Sequence, residues 1–196
     1  MKKVVLTGAV IATLAFAPKV ETTTWKIDTS HTKIAFSVTH MMISETTGKF
    51  KLYEGNVSSN GNDFNDAKID FTIDATSIDT DDENRDKHLK SEDFFNTEKF
   101  PKMVFKGKSF KKVKGNAYKL TGDLTIKDVT KSVTLDVVHN GTVKSPWGQE
   151  VAGFKLTGKL NRVEYGLKWN AILEAGGVTV GEEVRLACEI ELVKQK

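Results

Sequence analysis

Apolar and polar residues alternate with a period of two through most of the chain. Ile34, Phe36, Val38 and His40 share one parity, against Lys33, Ala35, Ser37 and Thr39 on the other. Successive side chains of a strand point to opposite faces, so this split assigns one buried and one wetted face. It recurs at Ile69, Phe71 and Ile73, at Tyr118, Leu120, Leu124 and Ile126, at Val133, Leu135 and Val137, and at Phe154, Leu156 and Leu160. With runs from Trp25 to Asp28, Phe50 to Val57, Met103 to Phe110 and Val180 to Val193, the pattern predicts about eight or more strands. Between the runs, Ser59-Asn60-Gly61-Asn62-Asp63, Gly115-Asn116, Asn140-Gly141 and Gly176-Gly177 tolerate positive φ and predict hairpin tips. A sandwich and a barrel both fit. Long strands with sustained alternation favour an all-β, closed or nearly closed antiparallel barrel with one or two short helices, wide enough to enclose one small ligand.

One segment departs from the period of two. Thr80-Asp81-Asp82-Glu83 reads as a capping box, with Thr80 bonding the third backbone amide and Glu83 reaching back. Acids open this stretch and Lys87, His88 and Lys90 close it, which suits the helix dipole. A helix is expected from about Asp81 to Lys90. It leads into Phe94, Phe95, Phe100 and Pro101, and a polar helix with aromatics interrupting a β-pattern is where function is expected to sit.

Composition narrows the class. A chain of 196 residues, 39% apolar and 28% charged, suits one folded domain with its own core. Met1-Lys2-Lys3, the apolar run Val4 to Ala17 and the small-x-small site Ala15-Phe16-Ala17 predict a signal peptide over residues 1–17, with the barrel domain over 24–196. The run is shorter than the roughly 20 residues that span a bilayer, while Pro18 leaves the cleavage position open. Lys2 and Lys3 supply two of the formal +3 charges, and the remaining +1 gives no global field for nucleic acid. The lysines from Lys102 to Lys119, interleaved with Phe105, Phe110 and Tyr118, resemble an oligonucleotide-binding surface. They fit better as a solvated hairpin or a protected edge, so no nucleic-acid partner is expected. Cys188 is the only cysteine and shares the apolar parity of Val184, Leu186, Ile190 and Leu192, which reads as a buried hydrophobe.

Candidate chemistry is sparse. Asp86 and His88 lie two apart on the helix, so they face different ways and form no acid-base pair. Arg85, Asp86 and His88 are either a structural clasp, with Asp86 pairing Lys90 or a strand end, or ligand contacts. Asp28, Ser30 and His31 suggest a nucleophile with its base, but no Gly-x-Ser-x-Gly elbow occurs and a turn-forming hydrogen bond is the expected role. The four histidines match no zinc or copper spacing. No catalytic residue, metal or cofactor is therefore expected. Met41 and Met42 suit an adaptable apolar lining, and Trp147 is expected to cover a barrel end or staple its own loop.

Trp25-Lys26-Ile27-Asp28, Ser30-His31, Phe36-x-Val38-x-His40, Gly48-x-Phe50, Arg85-Asp86-x-His88-Leu89, Phe94-Phe95, Phe100-Pro101, Gly122-x-Leu124-Thr125-Ile126, Asn161-Arg162 and Tyr165-Gly166 occur in this order. Together they resemble the YceI-like family from Trp25 to the final strand. Thr29 stands where a proline is common in that family, and Lys127-Asp128-Val129-Thr130 where many relatives carry a glycine. The resemblance implies an exported bacterial protein, periplasmic or secreted, with a lipocalin-like barrel that binds long polyisoprenoid lipids such as prenylated quinones. It implies no established enzyme activity.

Strand parity by itself leads the same way, less sharply. His40, His139 and Arg162 fall at or near the ends of strands whose other inward residues are apolar, so polar groups ring an oily interior. Such a cavity takes a hydrocarbon chain along its axis, and each buried methylene contributes about 0.8 kcal/mol. The expected lining is Phe36, Val38, His40, Met41, Phe50, Phe71, Leu124 and Phe154. Arg85, Asp86, His88 and Arg162 are expected near the polar end, with Leu89, Phe94 and Phe95 as cover or wall. The expected partner is an isoprenoid or other long-chain lipid, with transient membrane contact and a homodimer left open. Two alternatives stand: an enzyme acting on such a lipid, and an envelope stress or interaction module whose interior is filled by its own aromatics.

Overall fold

A computed structural model describes residues 22–174 and 176–195; the expected leader lies outside them. Strands β1 (Thr22–Ile27) and β2 (Lys33–His40) are followed by β3 (Ser44–Phe50) and β4 (Tyr53–Asn60). Then come β5 (Asp63–Asp74), the two-residue β6 (Ile78–Asp79), helix α1 (Glu83–Lys90), β7 (Lys102–Lys114), β8 (Ala117–Ile126), β9 (Val129–Lys144), β10 (Glu150–Asn161) and β11 (Val180–Lys194). The order β1-β4-β5-β7-β8-β9-β10-β11 returns to β1, so eight antiparallel staves close a barrel.

Two broken staves and the two-residue β6 explain why eleven strands make eight staves. β1 and β2 run in the same direction along one edge of β11, with Ile27 opposite Leu192 and Lys33 opposite Glu189. They are one long stave broken at residues 28–32. β4 and β3 form the neighbouring stave, paired with β1 and β2 respectively and broken at Lys51 and Leu52. Thr32 mends the first break, its hydroxyl accepting the Glu191 N–H at 2.9 Å. β6 then pairs with β3.

The β4–β5, β7–β8 and β9–β10 hairpins turn at one end, here called lower, and the short β2–β3 and β8–β9 turns at the other. The β4–β5 and β7–β8 turns use Gly61 and Gly115, both at φ +58, as their sequence chemistry predicts. Asn140-Gly141 is a correction. Gly141 pairs with Gly153 and His139 with Phe154, so Asn140 is the extra residue of a bulge inside β9, and the hairpin tip lies at Ser145 to Gln149. Trp147 on that tip is 84% exposed, so it does not cover a barrel end.

The lower end is filled by aromatics. Trp25, Phe64, Phe110, Tyr118 and Phe154 are buried in one cluster, with Phe64 edge-on to Phe154 at 4.9 Å and Phe110 stacked on Tyr118 at 4.8 Å. Trp25 is wholly buried because its indole N–H finds Ser59 Oγ at 2.8 Å. His139 stacks on Phe154 at 4.7 Å, and burial lowers its pKa.

The upper end carries α1 and the long β10–β11 connection. The helix starts later than its sequence suggests: Asp82 is the cap, its carboxylate accepting the Arg85 N–H at 2.9 Å, while Asp81 sits at φ +61. Thr80 does not cap because its hydroxyl is held elsewhere, donating to Asp86 Oδ1 at 2.6 Å and accepting from Arg85 Nε at 2.8 Å. β8 flanks the lysine-rich β7 from Val104 to Lys114, and β5 pairs with it over Lys102 to Lys106. Lys108, Lys111 and Lys119 of the β7–β8 hairpin pair with Asp123, Asp66 and Asp136. These pairs lie on the solvated outer face of the hairpin.

Candidate functional site

Between the lower plug and the upper elements lies an apolar cavity of about 250 Å³. It exists because the staves send alternate side chains inward to a lumen that the lower aromatics fill only in part. Phe36, Val38, Phe50, Phe71, Leu124 and Phe154 face it, and so do Leu89, Phe94, Phe95 and Arg162. The inward parities of β5, β8, β9 and β10 hold throughout. Cys188 is part of the wall, its thiol pKa pushed up to about 11 by burial, which keeps it protonated and unreactive.

His40, Met41, Arg85, Asp86 and His88 stand off the cavity wall. Parity assigns a face but not a contact: His40 ends its strand opposite Val180, which lines the cavity, while His40 itself does not. Met41 follows on the β2–β3 turn at φ +50, its N–H bonded to Thr179 O at 2.8 Å and its side chain outward. Arg85 and Asp86 clasp Thr80: Arg85 Nη2 donates to its carbonyl at 2.7 Å, and Asp86 Oδ1 accepts its N–H at 2.9 Å. His88 meets Asp93 Oδ2 at 2.9 Å, and its ring stands edge-on to Phe94 at 5.1 Å and Trp169 at 4.7 Å. All three therefore hold α1 and Phe94 in place from one layer outside the cavity.

Among the described residues, Arg162 is the one cationic side chain on the wall. Asn161 caps the short turn that follows β10, accepting the Val163 N–H at 2.9 Å, and Gly166 at φ +79 ends it, so the chain folds back over Arg162. The residue is 4% exposed. Its Nε donates to Gly181 O at 2.8 Å, Nη1 to Leu167 O and Trp169 O, and Nη2 to Val180 O at 3.0 Å. Burial lowers its pKa, an effect that Glu182 opposes. Four of the five N–H groups of a guanidinium are thus engaged, and one Nη2 proton is left.

Leu167 and Trp169 were missed by strand parity, because they lie in a loop where alternation says nothing. The Leu-x-Trp spacing after a helix-stop glycine was their only sequence signal. Among the described residues one trio could meet a single cation, Asp28, His31 and Glu191, on the outer surface at the break between β1 and β2. Asp28 accepts the Ser30 N–H and meets His31 Nδ1, both at 2.8 Å, which makes the expected turn; the same bond raises the His31 pKa.

Known proteins share this architecture. A "UPF0312 protein" of Staphylococcus aureus strain USA300 is 40% identical over 170 residues, covering 86% of this chain and 96% of its own. The crystal structure of the Campylobacter jejuni YCEI protein is 30% identical with a TM-score of 0.66, covering 81% of this chain and 90% of that one. A polyisoprenoid binding domain from Saccharophagus degradans shares the fold at a TM-score of 0.61 with 13% identity, covering 87% of this chain and 98% of that domain. The YceI-like domain profile matches residues 25–192, so closed barrel, apolar lumen and sequence agree that the chain belongs to the YceI-like family.

Proposed function

We propose that the protein binds and carries, or sequesters, a long-chain amphiphile, with a polyisoprenoid or isoprenoid quinone as the best fit. The observation that carries this reading is a lumen walled by apolar side chains with a single buried guanidinium at its upper edge. A hydrocarbon tail gains about 0.8 kcal/mol per buried methylene in such a lumen, and a carbonyl, phenol or phosphate head group would accept the remaining Arg162 proton. The polyisoprenoid binding attributed to the Saccharophagus degradans domain, on the same fold, supports the isoprenoid choice.

Export through the amino-terminal leader would bring the barrel to the bilayers that hold such lipids. Met41, Met42, Ile43 and Ile172 project from the upper loops as exposed apolar side chains. This tip would touch the bilayer while a ligand passes to the lumen.

Native mass spectrometry of protein purified from its own envelope, followed by organic extraction, tests the reading. A long-chain amphiphile at near one-to-one ratio is the expected result. Ligand-free protein from every preparation, together with no affinity for prenylated lipids, would overturn it.

A further inference from the structure

Three inward-facing glycines of the barrel sit opposite a large hydrophobic side chain on the neighbouring stave. Gly48 pairs with Phe36 and Gly55 with Phe71. Gly158 continues the β9–β10 register so as to oppose Leu135. A fourth, Gly122, lies diagonally from Phe105, whose register partner is Leu124. All four large side chains belong to the cavity wall.

In each case the large side chain lies down over its glycine. A Cβ at Gly48 would fall 2.4 Å from Phe36 Cζ, one at Gly55 2.6 Å from Phe71 Cδ2, and one at Gly122 2.4 Å from Phe105 Cζ. A Cβ at Gly158 would fall 2.3 Å from Leu135 Cδ2. Non-bonded carbons keep about 3.5–4.0 Å apart, so none of these side chains could stay where it is beside an alanine. Each would have to rotate off the wall and toward the barrel axis.

We infer that these four glycines set the bore of the barrel and thereby its choice of ligand. They let three rings and a leucine lie along the wall, which leaves a slender axial channel for an extended, flexible chain and no room for a fused-ring lipid. The bore is sensitive because the lumen, at about 250 Å³, is slightly below the 300–1,000 Å³ usual for ligand sites. A side chain turned inward therefore removes a large share of it. The inference rests on the lipid-binding reading for its ligand but on side-chain geometry for its mechanism.

Gly158 offers the cleanest test, since only Leu135 approaches a Cβ there closer than 3.7 Å, whereas Gly55 and Gly122 also meet backbone oxygens. The probe is cis-parinaric acid, a linear fluorescent lipid, displaced by geranylgeraniol or by cholesterol. The wild-type protein should release the probe to geranylgeraniol and not to cholesterol. Gly158→Ala should bind the probe about tenfold more weakly or worse, as expected for overpacking. Gly158→Ala combined with Leu135→Ala should recover binding to within about threefold of the wild type, because the clash is gone. A crystal structure of Gly158→Ala should show Leu135 turned into the lumen whether or not any ligand binds. Unchanged affinity in the single variant, no recovery in the double variant, or Leu135 still flat on the wall would overturn the inference. A wild-type protein that binds no chain at all would instead overturn the lipid-binding reading, and the crystal structure would still decide the bore.

Discussion

The lower and upper ends of the barrel draw on the same kinds of residue, aromatics, one histidine ring and hydrogen-bonded turns, yet they are put together differently. At the lower end short hairpins bring the staves close, and Trp25, Phe64, Phe110 and Phe154 pack ring against ring beneath the cavity. At the upper end two short turns stand beside two long connections, one carrying α1 between β5 and β7 and one joining β10 to β11. Leu89, Phe94 and Phe95 reach the cavity from outside the sheet, held there by Thr80, Asp86, His88 and Arg162. Cooperative packing closes one end, and a few polar clasps secure the other. That asymmetry gives the barrel a floor and a mouth.

The comparison breaks most sharply at Phe64. Phe64→Ala should cost about 3–5 kcal/mol, read from the urea midpoint at unchanged slope, because no nearby chain can collapse into the gap. A cost below about 1 kcal/mol would mean that the floor is not the stable half. Arg162→Met should cost less, about 1–3 kcal/mol, by taking this donor from the Gly181, Leu167 and Trp169 carbonyls while Val180 O keeps Asn170. Its mark is local: amide exchange should quicken over residues 163–180 while the lower strands keep their protection.

Asp86→Ala frees Thr80 and should cost about 1–2 kcal/mol. Dissociation of a bound chain should accelerate more than stability falls, and an unchanged off-rate in stopped-flow displacement would show that α1 does not restrain the mouth. pH separates the ends further. Burial depresses the His139 pKa, so its stability contribution is complete above about 6.5 and is lost as pH falls through the folded value, because only the unfolded chain takes up the proton readily. The melting temperature should therefore drop in mild acid, and His139→Phe should flatten that drop. His31 acts with the opposite sign: its raised pKa contributes stability below about 6.5 that disappears at higher pH. Exposure keeps that contribution small. The smallest effect belongs to Trp147→Ser, within about 0.5 kcal/mol, as for any surface side chain that packs against nothing.

Much of the wall was legible beforehand. Ile69, Phe71 and Ile73, or Val133, Leu135 and Val137, face the cavity because a period of two leaves a paired strand no other arrangement. The break at residues 28–32 was legible from the turn chemistry of Asp28 and Ser30, but the one in the neighbouring stave was not, since Lys51 and Leu52 carry no turn chemistry and Phe50 to Val57 reads as one strand. The helix cap was misplaced for a related reason. Thr80 and Asp82 are both acceptable caps, and only the fold, by giving Thr80 to Asp86 and Arg85, decides between them.

Local alternation and turn chemistry thus determined the all-β class, a strand count of about eight or more and which side chains look inward, since each follows from backbone geometry over a few residues. Tertiary structure alone decided how high on its stave each inward residue sits, and which aromatics become floor and which become wall. It also placed His40, Arg85, Asp86 and His88 outside the cavity and Arg162 at its edge. Those outcomes depend on register and on contacts between distant segments, such as Arg162 with Val180, which no local pattern contains.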